Sequence, residues 1–505
     1  MRHSDIQDGF TEDQQVLRIA CPDDFPTTDP RLVRDLPSRT MLNLLYEGLV
    51  RLNSHGKVEN AIAENISLSP DLMTYTFKLR KSQWSNGDPL TAKHFEDTWK
   101  SILNPTFPAP NAYQFFLIKN AKKVKEGLLP ESSLGIHATD DSTLVVELEY
   151  PAPYFLELLA THFFYPFHPS STAEKPIGNG PFTLTSRKRN DRLSFAKNSS
   201  YWESKEVHLD GVVLLVLDNQ TALRMFEKGE LDWVGSPMGT LPTDALPFLK
   251  HQHQLLVSPA AGVHWFRFNT EKTPFNNRNM RKAFTLAINR EHLVKFVTQG
   301  NQKTAESIVP PSFGLEKTRY FNDDAVPEAW YAFQEALEEM KISKDDLPKI
   351  TLCYANAERN HKVVQAVQQQ WKIALGVEVA LESLESKILF DRLSQADFQM
   401  ASGGWYADFR DPINFLNVFK SKSNPSNNTQ WENQTFSELL TESNHTKDHS
   451  QRLQILSKAQ GILMDEYPVA PLFFGSFNYL KTEGLLGVYV SDLGYLDFKY
   501  AFFSK

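Results

Sequence analysis

An uninterrupted apolar run at Val212–Leu217 is the feature that most constrains the fold of this chain. Both faces of a strand made from these residues are apolar, so the run predicts a strand in the middle of a sheet. Strand patterns and helix patterns then succeed one another along the whole chain, and no tandem repeat of fixed period is present. We therefore expect an α/β architecture built around a sheet.

Period-two alternation and short apolar runs predict further strands at Val16–Ala20, Thr74–Arg80 and Leu144–Leu148. Apolar residues at helical spacing predict helices at Thr91–Leu103, Asn276–Val297 and Asn360–Leu375. The apolar stretch Pro151–Phe167 contains two internal prolines, and we interpret it as buried strand and loop. Clusters of proline and glycine near residues 170 and 260 predict crossings between domains.

Charge and composition exclude a nucleic-acid partner and a transmembrane helix. The net charge is −8, and the densest basic run is Arg187–Arg189, so the basic surface that a nucleic acid needs is missing. No run of about 18 apolar residues suggests a transmembrane helix. The segment after Met1 has no apolar core, which leaves a cytoplasmic protein or one whose signal peptide has been removed.

We expect Cys21 and Cys353 to be reduced core thiols, because two distant cysteines form no disulfide framework.

No catalytic, cofactor or metal motif stands out. The chain contains no Walker loop, nucleophile elbow or His-Glu-x-x-His sequence. His251 and His253 are one residue apart, but no third ligand is near them, and we predict a solvated loop rather than a metal site. We therefore expect no cofactor and no metal. An enzyme stays a weaker hypothesis, because catalytic groups can assemble from distant parts of a chain.

The segment Gly403–Pro412 carries the strongest binding signal. Asp408 follows a Gly-Gly-Trp-Tyr-Ala sequence and precedes a turn signal at Asp411-Pro412. A carboxylate among aromatic residues is costly to bury unless a cation pairs with it. On local evidence, Asp408 is either a surface turn residue or one wall of a site that takes a positive group.

Several motifs in order resemble the extracytoplasmic solute-binding proteins of peptide ABC transporters, the oligopeptide- and dipeptide-binding family. The motifs lie at Tyr46–Val50, Ile62–Ala92, Ile177–Phe182, Asn198–Trp202, Gly229–Asp232 and Phe268–Arg290. The resemblance implies an α/β fold of the two-lobed periplasmic-binding-protein type, class II or cluster C, with an extra domain inserted in the first lobe. The implied boundaries are 12–48, 168–259 and 479–505 for the first lobe, 49–167 for the inserted domain and 260–478 for the second lobe.

The resemblance also implies a site. An extended peptide pairs with protein backbone as an added strand, and its ammonium group pairs with an aspartate that follows a Trp-x-Ala element. Here that element is Trp405-Tyr406-Ala407, which gives the role to Asp408, with Gly404 and Tyr406 offering main-chain groups. By the same resemblance Tyr113 is a pocket residue and Leu36 lies near an apolar wall.

Two positions depart from the family pattern. Ser402 stands where well-studied members carry an arginine that helps to receive the peptide carboxylate, and Ser386 stands where such members carry a tryptophan. Arg410 and His361 are the replacements that we predict for the carboxylate end.

The leading hypothesis is a monomeric, extracytoplasmic protein that binds short peptides and delivers them to the membrane permease subunits of an ABC importer. A lipid anchor is left open. The alternatives are murein-derived or other modified peptides, or a different small solute, on the same fold. A peptide-processing enzyme is the third hypothesis.

Overall fold

The computed structural model describes residues 9–11, 13–33, 35–172 and 174–504. The described residues form two compact units. The first contains those up to Ser258 and those from Phe477 onward, and the second is Pro259–Ser476. Each unit combines helices with a sheet, which confirms the α/β class. The division into three domains, with 49–167 as an inserted one, stays a prediction.

The first unit contains most of the strands. These are β1 Val16–Cys21, β2 Val50–Leu52, β3 Val58–Asn60, β4 Ala63–Leu68, β5 Thr74–Leu79, β6 Ile136–Asp140, β7 Thr143–Glu147, β8 Phe182–Lys188, β9 Arg192–Lys197, β10 Gly211–Val216, β11 Trp233–Gly235, β18 Leu485–Leu486, β19 Tyr489–Val490, β20 Leu496–Asp497 and β21 Phe502–Phe503. Its helices are α1 Leu36–Leu45, α2 Ala92–Leu103, α3 Ala121–Lys125, α4 Phe155–Leu159, α5 Asn219–Glu227 and α6 Leu246–His251.

The predicted central strand is β10. It runs parallel to β1 and antiparallel to β9, and β1 also pairs with β11. Val212, Val213 and Leu214 are fully buried, as a strand covered on both faces requires. A second, antiparallel sheet has the order β4-β5-β7-β6. The strands predicted at Thr74 and Leu144 form its middle.

The second unit holds the remaining elements. Its strands are β13 Lys303–Thr304, β14 Ile350–Ala355, β15 Val379–Leu384 and β16 Met400–Tyr406. Two long strands have residues in both units, β12 Leu256–Phe268 and β17 Val469–Lys481. The helices are α7 Arg278–Leu286, α8 Arg290–His292, α9 Val326–Met340, α10 Glu358–Leu375, α11 Ser386–Ser394, α12 Ile413–Leu416, α13 Gln434–His445 and α14 His449–Glu466.

The sheet of the second unit has the strand order β15-β14-β16-β12-β17. β14 is parallel to both β15 and β16, whereas β16 is antiparallel to β12. α10 connects β14 to β15 and packs on the sheet through Trp371, whose ring lies 5.6 Å from that of Phe266. The indole nitrogen of Trp371 donates to the Phe284 carbonyl at 2.8 Å, which ties α10 to α7.

The single helix predicted over Asn276–Val297 is wrong. α7 ends at Leu286, α8 begins at Arg290, and a π-helix follows at Leu293–Thr298. The buried guanidinium of Arg290 donates to the carbonyls of Thr285 and Ile288 at 3.1 and 3.0 Å. These carbonyls are thereby satisfied without a continuing helix, and the Asn289 side chain caps α8 instead.

The strand predicted within Pro151–Phe167 is also wrong, although its burial is confirmed. The segment contains α4 and a 3₁₀ turn at His162–Phe164. Phe155, Leu158 and Leu159 are buried, and their spacing of three and four residues is that of a helix.

Both cysteines are free and buried, which confirms the core thiols. Cys21 ends β1 and Cys353 lies in β14. Burial raises the pKa of Cys21 to about 12 and that of Cys353 to about 11, so both stay protonated at neutral pH.

His162 makes the first unit sensitive to acid. Its ring is fully buried, and this burial, with the nearby Arg39 charge, holds its pKa well below the usual value of 6.5. The unfolded chain therefore binds a proton on this histidine near pH 6.5, whereas the folded chain does so only at a much lower pH. The free energy of unfolding thus decreases as the pH is lowered from about 6.5. We expect a slope of up to about 1.4 kcal/mol per pH unit from this group.

The measurement is urea unfolding between pH 7.5 and 4.5 for the native protein and His162→Phe. The variant should lose less stability on acidification than the native protein does. His251→Phe, at an exposed position, is the control. Parallel pH profiles for the native protein and His162→Phe would contradict the assignment.

Candidate functional site

Five of the residues predicted for the site lie close together in the second unit. Ser402, Gly404, Trp405 and Tyr406 belong to β16, and Asp408 lies in the bend that follows it. Tyr406 is 48% exposed, whereas Asp408 is half-buried. The structure therefore brings these five residues to one strand and its end.

Pairing with β12 sorts the side chains of β16 onto two faces. Tyr406 lies opposite Gly262, and the register is continuous to Met400 opposite Phe268. Because side chains alternate along a strand, one face carries Ser402, Gly404 and Tyr406 of β16 with Gly262, His264 and Phe266 of β12. We call this set the Tyr406 face. Trp405 lies on the opposite face.

One edge of β16 is only partly paired. β14 pairs with β16 at Met400 and Ala401, and its last two residues pair with β15 before α10 begins. Among the residues that the structure describes, no strand pairs with Ser402–Tyr406 at this edge. We call Ser402–Tyr406 the open edge.

The direction of the backbone groups at the open edge follows from the two ends of the strand. The Gln399 carbonyl accepts from Asn269 at 2.9 Å, and the Ala407 N–H donates to Ala261 at 2.8 Å, so both groups point toward β12. Backbone groups alternate along a strand. The N–H and C=O groups of Ser402, Gly404 and Tyr406 therefore point away from β12, toward the open edge.

Glycine at 404 has a structural cause. A Cβ there would lie 2.5 Å from the carbonyl oxygen of Val263, and this is backbone that cannot move without breaking the β12–β16 pairing. Glycine at 262 makes room in the same way for the ring of Tyr406. Both glycines allow the two strands and the tyrosine to pack closely.

Tyr406 and Trp405 are each held by one polar contact. The Tyr406 hydroxyl lies 3.0 Å from Nε2 of His264, and the Trp405 indole nitrogen donates to Oδ1 of Asn414 at 2.7 Å. Burial, and then the charge of Arg359, lower the pKa of His264 to about 4. At neutral pH this histidine is uncharged, and its ring nitrogen can accept a hydrogen bond from the tyrosine hydroxyl.

A buried ion pair anchors the bend that carries Asp408. Asp411 is 6% exposed and Arg452 is 2% exposed. The two guanidinium nitrogens of Arg452 donate to the two carboxylate oxygens of Asp411 at 2.7 and 2.9 Å. Asp411 also accepts from the backbone of Ile413 at 2.9 Å, which connects the bend to α12. The polypeptide around Asp408 is thus tied to α14.

Two of the other predicted residues, Arg410 and His361, also lie in the second unit. Arg410 donates to the Ser312 carbonyl at 3.2 Å, and His361 in α10 has Nδ1 2.6 Å from the Tyr354 hydroxyl. Ser386 begins α11 and is exposed. The ligand roles of Arg410, His361, Tyr113 and Leu36 stay predictions.

Tyr113 and Leu36 both belong to the first unit. Tyr113 is 51% exposed in a 3₁₀ turn at Ala112–Phe115. Leu36 begins α1 and is half-buried beside Gly494.

Three residues of this region are missing from the predicted set. The guanidinium of Arg359, in the first turn of α10, lies 5.5 Å from the ring centre of Phe473. The ring of His264 lies 4.9 Å from that of Phe473. Arg359 stands just beyond the carboxyl end of the parallel strand β14, where ligands of α/β sheets commonly bind, and that position is the signal that could have found it.

The described residues contain no group of three or more His, Cys, Asp or Glu that could hold a metal ion. In the same part of the chain, every helix is too short or too polar to cross a membrane. The geometry is that of a strand edge with charged groups near it.

The family model described as "Bacterial extracellular solute-binding proteins, family 5 Middle" matches residues 57–427. This chain belongs to that family. The resemblance found in the motifs is thereby confirmed.

Relatives match along nearly the whole chain. The oligopeptide-binding protein OppA of Bacillus subtilis (strain 168) is 41% identical over 491 residues, covering 94% of this chain and 90% of its own length. The structure of the periplasmic murein tripeptide binding protein MppA in its unliganded open form matches with a TM-score of 0.85 and 26% identity, over 97% of this chain and 98% of that one. Haemophilus influenzae OppA in complex with RPPGFSPFR matches with a TM-score of 0.77 and 26% identity, over 98% and 100%. The predicted family fold is confirmed.

Removing the positive partner from the buried ion pair should destabilise the second unit strongly. Arg452→Met leaves the Asp411 carboxylate buried without its cation, which costs about 3–5 kcal/mol. Asp411→Asn combined with Arg452→Met should recover part of that loss, because no charge is then left buried. Urea unfolding followed by tryptophan fluorescence measures each variant.

Arg278→Met is the matched control, because its pair with Asp465 at 2.7 Å is exposed and should contribute less than about 1 kcal/mol. Equal effects of Arg278→Met and Arg452→Met would contradict a special role for the buried pair.

Proposed function

We propose that the protein binds short peptides outside the cytoplasm and delivers them to the membrane subunits of an ABC importer. The family supports a solute-binding role, and the relatives named as oligopeptide-binding proteins support peptides as the solute. The protein acts as a monomer in this proposal and binds its ligand without cleaving it.

The open edge of β16 is the observation that carries the proposal. The backbone groups of Ser402, Gly404 and Tyr406 point toward it, and no described strand pairs with it. An extended peptide can add there as a further strand. Hydrogen bonds between backbones do not depend on side chains, so this mode suits a protein that accepts many sequences.

Asp408 gives the added strand its orientation. It follows the open edge by two residues, in a bend that the Asp411–Arg452 pair holds in place. In the proposal its carboxylate pairs with the ammonium group of the peptide. The half-buried position suits this role, because the ligand then desolvates the carboxylate further and strengthens the ion pair.

The charge pair should be measurable by calorimetry. Asp408→Ala should weaken a free-amine peptide such as tetraalanine by about 3–5 kcal/mol, or roughly two to four decades in Kd. The N-acetylated peptide should already bind poorly to the native protein, and the substitution should change it little.

The exposed Asp397→Ala in the same unit is the control for a general change of charge. If the native protein binds the acetylated and the free-amine peptides equally well, Asp408 does not receive the ammonium group.

Strand addition predicts a second effect that does not involve charge. Methylation of the peptide nitrogens removes donors without adding charge, so a singly N-methylated tetrapeptide should bind about tenfold to a hundredfold more weakly when the methyl group faces the open edge. Methylation one residue along the peptide should have a smaller effect, because that nitrogen points away. Uniform effects at every position would contradict pairing with β16.

Murein-derived peptides are a second candidate ligand. Ser402 and Ser386, at the two positions that depart from the family pattern, favour them, and MppA, a murein tripeptide binding protein, is among the structures with the same fold. Mass spectrometry of ligand released from the purified protein distinguishes these peptides from unmodified ones. Recovery of added peptide in cleaved form would instead favour the enzyme hypothesis.

A further inference from the structure

Arg359 is a cation without a carboxylate partner. No aspartate or glutamate of the described residues lies within ion-pair distance of its guanidinium. Two fully buried arginines of the same unit, Arg290 and Arg452, have carboxylate partners at 3.1 and 2.7 Å, whereas Arg359 is exposed. An arginine held over an aromatic ring with no counter-ion is suited to receive an anion from outside.

The path of Arg359 places its charge over the Tyr406 face. The residue starts from α10, which follows β14, yet its guanidinium reaches Phe473 on β17. In the sheet, β16 and β12 lie between these two strands. Phe473 also contacts His264, whose side chain belongs to the Tyr406 face. The guanidinium therefore lies above the face that adjoins the open edge.

The surroundings of Arg359 favour a single added negative charge. Although the residue is exposed, nearby protein atoms desolvate the guanidinium and lower its pKa, and Tyr406 acts in the opposite direction. The guanidinium stays charged at neutral pH, as arginines do in proteins. His264 beside it is neutral there, because its pKa is about 4. Arg359 is thus the charged member of this group of four residues, Arg359, His264, Tyr406 and Phe473.

We propose that Arg359 binds a carboxylate group of the ligand. The inference rests on the proposed function, because it requires a peptide paired with the open edge. Such a peptide has one set of side chains above the Tyr406 face, and a carboxylate there comes either from an acidic side chain or from the C-terminus of a very short peptide. The planar guanidinium can form two parallel hydrogen bonds to either. Arg359 would then determine specificity for a carboxylate, whereas the sequence resemblance pointed to Arg410 and His361 for the carboxylate end.

The test is calorimetry with peptides that differ only in their carboxylates. The probes share a free amine: tetraalanine as the free acid and as the C-terminal amide, and amidated tetrapeptides with glutamate or glutamine at each position in turn. For at least one pair, the native protein should prefer the carboxylate by about tenfold to a hundredfold. The pair that shows the preference identifies the source of the carboxylate.

Arg359→Gln should abolish that preference while leaving the neutral member of the pair within about twofold of its native Kd. Arg359→Lys keeps the charge but loses the planar fork, so it should retain part of the preference. Arg319→Gln removes an arginine from the same unit at an exposed position, where its side chain is 65% exposed, and should leave the preference unchanged.

Two outcomes overturn the inference in different ways. If the native protein binds these peptides but Arg359→Gln keeps the full carboxylate preference, or weakens neutral and acidic peptides equally, the role of Arg359 fails and the proposed function stands. If the native protein binds none of the free-amine peptides, the proposed function fails and the inference fails with it.

Discussion

Backbone pairing along β16 is the constraint on which the candidate site depends. The strand is paired on both sides at Met400 and Ala401 and on one side from Ser402 to Tyr406. A backbone N–H or C=O needs a partner when water is removed. At the open edge, water can serve that need, and in our proposal the ligand replaces the water. The open edge exists because the pairing of β14 with β16 stops at Ala401.

Exposed strand edges usually invite pairing with another chain, and proteins limit them by keeping them short or by placing charges beside them. The open edge follows that rule, because it spans five residues and the charged groups of Asp408 and Arg359 lie near it. The same two features serve the proposed function. A short edge selects a short extended segment, and charges of opposite sign favour a ligand that carries both an ammonium and a carboxylate group. In our proposal, one arrangement thus limits unwanted pairing at the edge and selects the ligand.

The elements that sequence patterns predicted well are those whose apolar residues decide the local structure. The strand at Val212 and the helix ending at Leu375 are examples, because the spacing of their buried apolar residues in the sequence is enough to distinguish strand from helix. The helix through Asn289 failed because a buried arginine replaces helical hydrogen bonds with its own, and no periodicity records such a contact. For the site, the motif identified the strand and Asp408. The pairing of Asp411 with Arg452, 41 residues apart, could not be predicted from spacing.

Arg359 illustrates why charged groups are harder to place than apolar ones. In sequence it lies in an ordinary polar helix start, between Glu358 and Asn360. Its position matters only because the sheet order brings Phe473 under it and because Glu358 pairs with Lys362 at 2.6 Å instead. The neighbouring acid is thereby taken by another cation, and the arginine keeps its capacity for an anion. His264 is uncharged at neutral pH. A protonated His264 would repel the Arg359 guanidinium, and the ligand would then need a second carboxylate to neutralise both charges. In our proposal, an uncharged His264 leaves Arg359 as the charged member of the group, which suits a ligand that presents one carboxylate there.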